Sequence, residues 1–133
     1  MTAEAGNNPL VLIVEDNEKN LKLARDVLQY HGFPTIEAPD AETALRLASE
    51  SKPEVILMDI ELPGMDGVTA LEKLRADPAT AAITVVAVTA SVMPVDRDRF
   101  ARAGFAGVIV KPIDIKVFPD QVRAYCGRSR SDA

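Results

Sequence analysis

Reactive and aromatic side chains are scarce in this chain, which holds one cysteine, one histidine, no tryptophan and 5% aromatic residues. The lone thiol, Cys126, excludes an internal disulfide and fits a reducing compartment. Cys126 and His31 both fall near predicted helix ends and lack the supporting motif of a Cys–His nucleophile pair. No His/Cys set exists that would hold zinc. No apolar run approaches the ~18 residues that a membrane helix needs. The opening "MTAEAGNN" has neither the basic region nor the apolar core of a signal peptide. The expectation is therefore a cytoplasmic protein with no membrane partner. Large excess charge is also absent: the formal net charge is −5, which speaks against nucleic acid as a partner of the domain by itself.

What remains is ordinary globular composition. With 133 residues, 47% hydrophobic and 26% charged, the chain suits a single domain with a normal core. Boundaries are expected at 9–127 for the folded domain, with residues 1–8 and 128–133 disordered.

Apolar runs alternate with amphipathic ones. "LVLIV" (Leu10–Val14), "PTIEA" (34–38), "EVILMD" (54–59), "AITVVAVTA" (82–90) and "GVIV" (107–110) read as strands, several of them buried on both faces. Between the first two, Leu21, Ala24, Val27 and Leu28 share one helical face, and Gly32 closes that helix. A second helix starts from Asp40 as N-cap and buries Ala44, Leu45 and Ala48. A third runs from Gly67 to Ala76, capped by Asp66, carries Val68, Leu71 and Leu74, and stops at Asp77-Pro78. A charged fourth helix has Pro94 near its first turn and Gly104 after its last. The last helix is expected between Asp114 and Tyr125, with Ile115, Phe118, Val122 and Tyr125 facing inward. Pro119 removes a hydrogen bond there and crowds the carbonyl of Ile115, so this helix starts late or bends. Such alternation predicts an α/β doubly wound fold, an open parallel sheet with right-handed crossovers and helices on both faces. Its reactive crevice lies beyond the carboxyl ends of the strands.

The polar residues fall at those ends. Glu15 and Asp16 follow the first strand, Asp59 ends the third, Thr89 the fourth, and Lys111 follows the fifth. Carboxylates brought together raise one another's pKa and call for positive charge. Lys111 supplies one unit and a divalent ion would supply two. All available ligands are oxygens, which suits Mg²⁺. A carboxylate beside Mg²⁺, a lysine and a hydroxyl is a phosphoryl-acceptor arrangement, with Asp59 as the nucleophile.

In order and spacing, "VEDN", "ILMDIELPGMDG", "VTA" and "KP" resemble the response-regulator receiver domain of two-component signalling, over about Leu10 to Gly127. The "VEDN" and "ILMD" pieces, with no output domain, resemble stand-alone single-domain regulators of the DivK kind. The resemblance implies a flavodoxin-like (βα)5 fold with strand order 2-1-3-4-5. It implies a signalling switch that promotes its own phosphorylation and dephosphorylation rather than an enzyme. Asp59 would accept a phosphoryl group from a sensor histidine kinase or a histidine phosphotransfer protein, and the output would be binding to a downstream protein target. Asp16 would hold Mg²⁺ directly and Glu15 through water, with Asp59 and the backbone carbonyl of Glu61 completing the metal set. Thr89 would bond a phosphoryl oxygen, and Lys111 would pair with Asp59 and then with the phosphoryl group. Pro112 would follow a cis peptide bond that aims Lys111 inward. Ala90 and Ser91, just past Thr89, would modulate phosphate lifetime, as would Glu61. Val108 stands where the family often has Tyr or Phe, and a valine can neither make the large inward rotation of that aromatic nor offer a hydroxyl. Competing readings are a phosphate-independent adaptor, an aspartyl-phosphate phosphatase of the haloacid dehalogenase kind, which wants an aspartate where Glu61 stands, and a flavin-binding carrier. The acidic "EDNEKN" after the first strand would repel a flavin phosphate.

Overall fold

The computed structural model describes residues 9–90 and 93–126. The expectations for residues 1–8, for the tail 128–133 and for Ser91 lie outside the described residues.

Among the described residues five strands form one parallel sheet: β1 (Val11–Val14), β2 (Thr35–Ala38), β3 (Val55–Asp59), β4 (Thr84–Thr89) and β5 (Gly107–Val110), in the order β2-β1-β3-β4-β5. The helices of the described residues alternate with them: α1 (Glu18–Tyr30), α2 (Ala41–Ser51), α3 (Gly67–Ala76), α4 (Pro94–Ala103) and α5 (Phe118–Cys126). β1, β3 and β4 are buried along their whole length, as their unbroken apolar runs require.

Alternate residues of each strand serve opposite faces. Leu12, Val14, Ile56, Met58, Val85 and Ala87 pack under α2, α3 and α4 with Ala44, Ala48, Leu71, Leu74 and Phe100. Val11, Ile13, Leu57, Val86 and Ile109 pack under α1 and α5 with Ala24, Leu28, Phe118 and Val122. Each fully buried Leu, Ile or Phe contributes about 1.5–3 kcal/mol.

Local chemistry sets the helix ends. Side chains of Asn17, Asp40 and Asp66 accept from backbone N–H groups at the starts of α1, α2 and α3. Gly104 ends α4 at φ 113°, a left-handed conformation that a side chain would strain. Of the two outcomes expected at Pro119 the last helix takes the late start: α5 begins at Phe118 rather than at Asp114. Asp114 to Val117 instead form a turn, with the Val117 and Phe118 N–H groups donating to the Asp114 carbonyl. Pro119 thereby falls in the first helical turn, where its missing N–H costs nothing. Ile115 is consequently not an inward-facing helical residue but 54% exposed. Phe118 and Val122 are buried and Tyr125 is partly so.

Candidate phosphoacceptor and metal site

Asp59 is the last residue of β3, and the sheet brings its neighbours to the same edge. β1 lies on one side of β3, in register Val14 to Met58. Glu15 and Asp16 therefore emerge beside Asp59. β4 lies on the other side, with Val88 opposite Asp59 and Thr89 one step beyond. β5 pairs Val110 with Thr89, which puts Lys111 at the same end. The Lys111 N–H donates to the Thr89 carbonyl, and the Lys111–Pro112 peptide is cis.

The side chains converge. Lys111 Nζ lies 2.9 Å from Asp59 Oδ2 and 2.9 Å from Glu15 Oε1. The other Asp59 oxygen, Oδ1, accepts from the Glu61 N–H at 2.9 Å. Glu15 Oε2 accepts from the Asn17 N–H at 3.2 Å. Asp59 is 3% and Glu15 6% exposed, whereas Asp16 stands in solvent. One oxygen each from Glu15, Asp16 and Asp59 lies within 4.8 Å of the others. That all-oxygen donor set fits a hard divalent cation with retained water better than it fits zinc.

Burial raises the Glu15 carboxyl above its usual 4.5; the bonds from Lys111 and Asn17 oppose the rise, and the Asp59 charge adds to it. For Lys111, burial pulls the ammonium down, but the bonds to Asp59 and Glu15 outweigh it and the net shift is upward from 10.5. Lys111 is therefore a firmly held cation between two buried acids.

The remaining candidates lie around this cluster. Thr89 is buried at 2% exposure, Ala90 is exposed, and Pro112 is exposed beyond the cis bond. Glu61 is exposed, with its N–H turned to Asp59. Val108 is half-buried and packs into the core beneath α2, α3 and α4.

Sequence reasoning passed over two residues. Asn17 fixes Glu15 through its N–H and starts α1 through its side chain, whose Oδ1 accepts from the Asn20 N–H. The signal was an Asn directly before an amphipathic run. Gly67, the first residue of α3, sits so close to β3 that a Cβ would come 2.9 Å from the Asp59 carbonyl oxygen. A glycine where a helix former is the better choice was the sign of that close approach.

Residues 11–123 match the family model described as the response regulator receiver domain. The polar-differentiation response regulators DivK of Brucella anthropi and Brucella ovis are each 41% identical over 117 residues, covering 88% of this chain and 95% of theirs. The fold matches a response regulator of Chloroflexus aurantiacus described as putative, at TM-score 0.85 and 24% identity, covering 92% of this chain and 100% of that one. It also matches the receiver domain of the Pseudomonas aeruginosa sensor histidine kinase PA1611, at TM-score 0.81 and 28% identity, covering 90% and 98%. That structure has a magnesium ion coordinated in its active-site cleft. With its strand order, its buried strand-end carboxylate and a family match over most of its length, the chain belongs to the response regulator receiver domains of two-component signalling.

Proposed function

We propose that this receiver domain is switched by phosphorylation of Asp59. The observation that carries the reading is the paired, buried carboxylate: Lys111 holds one oxygen, a backbone N–H holds the other, and two further acids stand within reach.

In the transfer, an Asp59 oxygen attacks the phosphorus of a phosphohistidine on a sensor kinase or histidine phosphotransfer protein. The P–O bond forms as the P–N bond breaks, and the electron pair returns to the imidazole. Lys111 stabilises charge on the transferring oxygens, and Thr89 takes a hydrogen-bonding role once the group is in place. Mg²⁺ would be held by Asp16 and Asp59, by the Glu61 carbonyl and, through water, by Glu15. Both Glu15 oxygens already have partners, which favours the indirect role. When bound, the ion neutralises the clustered negative charge and the charge that develops on the phosphoryl oxygens. Ala90 and Ser91 tune how long the phosphate persists.

The recess beside Lys111 is apolar, lined by Leu23, Ala24, Pro112 and Ile113 among others. It supports docking of the phosphodonor across α1 and the segment that follows β5. Output is binding to a downstream protein.

Asp59→Asn tests the reading. The wild-type chain should take up acid-labile, hydroxylamine-sensitive phosphate from acetyl phosphate with Mg²⁺, and the variant should take up none. Undiminished labelling of the variant would remove Asp59 as the acceptor.

A further inference from the structure

On the α5 side of the sheet, Gly107 opens β5 without a side chain, and Tyr125 of α5 fills the space. A Cβ at Gly107 would overlap the Tyr125 hydroxyl, and it would stand 2.6 and 2.8 Å from the ring carbons Cζ and Cε1. The ring is only partly buried. Beside it, between α4 and α5, lies a cavity of about 310 Å³ floored by Gly107 and Val108 and walled by Arg97, Phe100 and Tyr125. The aromatic ring thus rests on strand backbone with no side chain as cushion, and it has room to leave.

Both sides of this contact are chained to Lys111. β5 runs directly into it, and α5 follows it after one turn. β5 is also an edge strand, hydrogen-bonded to β4 alone, so it is less constrained than the central strands. A phosphoryl group on Asp59 moves the negative charge outward, and Lys111 must re-aim to follow it. Packed contacts have discrete arrangements, so a small shift of β5 against α5 is taken up at the joint with least cushioning.

We infer that Tyr125 is the positioning residue that couples the phosphoacceptor end of β5 to α5: its ring closes over Gly107 while Asp59 is unmodified and leaves when Asp59 carries a phosphoryl group. The inference rests on the Asp59 reading above. It gives the chain an aromatic switch element on α5, on the sheet face opposite the short Val108 side chain.

With two tyrosines and no tryptophan in the chain, Tyr30→Phe leaves Tyr125 as the sole strong emitter. Iodide quenching of that emission should be measured before and after treatment with acetyl phosphate and Mg²⁺, and bound acid-labile phosphate counted in the same sample. Quenching should rise roughly twofold on phosphorylation, because one face of the ring loses its cover. Gly107→Ala in the same background should show the raised quenching without phosphate. Full labelling with unchanged quenching would overturn the coupling and leave the Asp59 reading intact. Absence of label would overturn both. Should Gly107→Ala not fold, the phosphorylation comparison alone decides.

Discussion

Lys111 is the only cation bonded to the buried acids among the described residues, and its removal separates two effects. Without it, Glu15 and Asp59 keep their burial and lose their shared counter-charge. Truncating one partner of a buried pair costs about 3–5 kcal/mol, and the partial exposure of Lys111 puts the expected loss near the lower end, at about 3 kcal/mol. The same deletion makes the pocket more negative, so a divalent cation should bind more tightly. For Lys111→Met, urea unfolding without metal should show the loss, and saturating Mg²⁺ should recover most of it by mass action. A Mg²⁺ titration should give a lower Kd than that of the wild-type chain. Equal or weaker Mg²⁺ binding in the variant would mean that Lys111 does not share a field with the residues proposed to hold the metal.

At the scale of elements, α3 matters because its first residue packs against the end of β3 that carries Asp59. Its cap is Asp66, whose carboxylate accepts from the Thr69 N–H at 2.8 Å. That bond holds the Asp66 carboxyl below its usual 3.8. A depressed acid contributes stability that is present above pH 3.8 and is lost as pH falls through the lower folded value. Asp66→Ala should therefore cost about 1 kcal/mol at neutral pH, and the gap to wild type should close in acid. A gap that persists below that window would assign the loss to packing instead. Gly67→Ala acts differently. Its Cβ would press on the Asp59 carbonyl oxygen and on the Ile60 Cα at 2.9 and 3.0 Å, so α3 must shift or the end of β3 must. Either response displaces Asp59 from Lys111. Phosphate uptake from acetyl phosphate should fall more steeply than stability does. Uptake at the wild-type rate would show that the strand end absorbs the methyl group.

For the molecule as a whole, what the sequence discloses follows from periodicity and punctuation. The alternation of β-branched runs with amphipathic ones sufficed for the fold, and Asp40, Asp66 and Gly104 marked helix ends because capping is local chemistry. Convergence of Glu15, Asp16, Asp59 and Lys111 was legible because a parallel sheet delivers all its carboxyl ends to one edge. The late start of α5 was legible from Pro119, which a helix running from Asp114 could not hold without losing a hydrogen bond, but the alternative of a bend was settled only by the turn at Asp114, since an Asp-initiated turn and a helix start share the same first residues. The Tyr125–Gly107 contact was not legible, because it joins residues of different elements through a space that only coordinates reveal. The acidic edge has a consequence for the entire chain. Folding gathers three carboxylates that the unfolded chain keeps apart, so a cation bound by the folded form alone stabilises the whole domain. At a hundredfold excess over Kd the gain is about 2.7 kcal/mol. For a chain of 133 residues that corresponds to a rise of roughly 10 °C in Tm. Asp16, the exposed member of the cluster, would contribute to the binding energy of the proposed cation without supporting the core. Asp16→Asn should leave the metal-free Tm nearly unchanged and abolish most of the rise, as read by calorimetry with and without MgCl₂. An equal rise in the variant would mean that the cation acts elsewhere on the molecule, and the acidic edge would lose its role as the metal site.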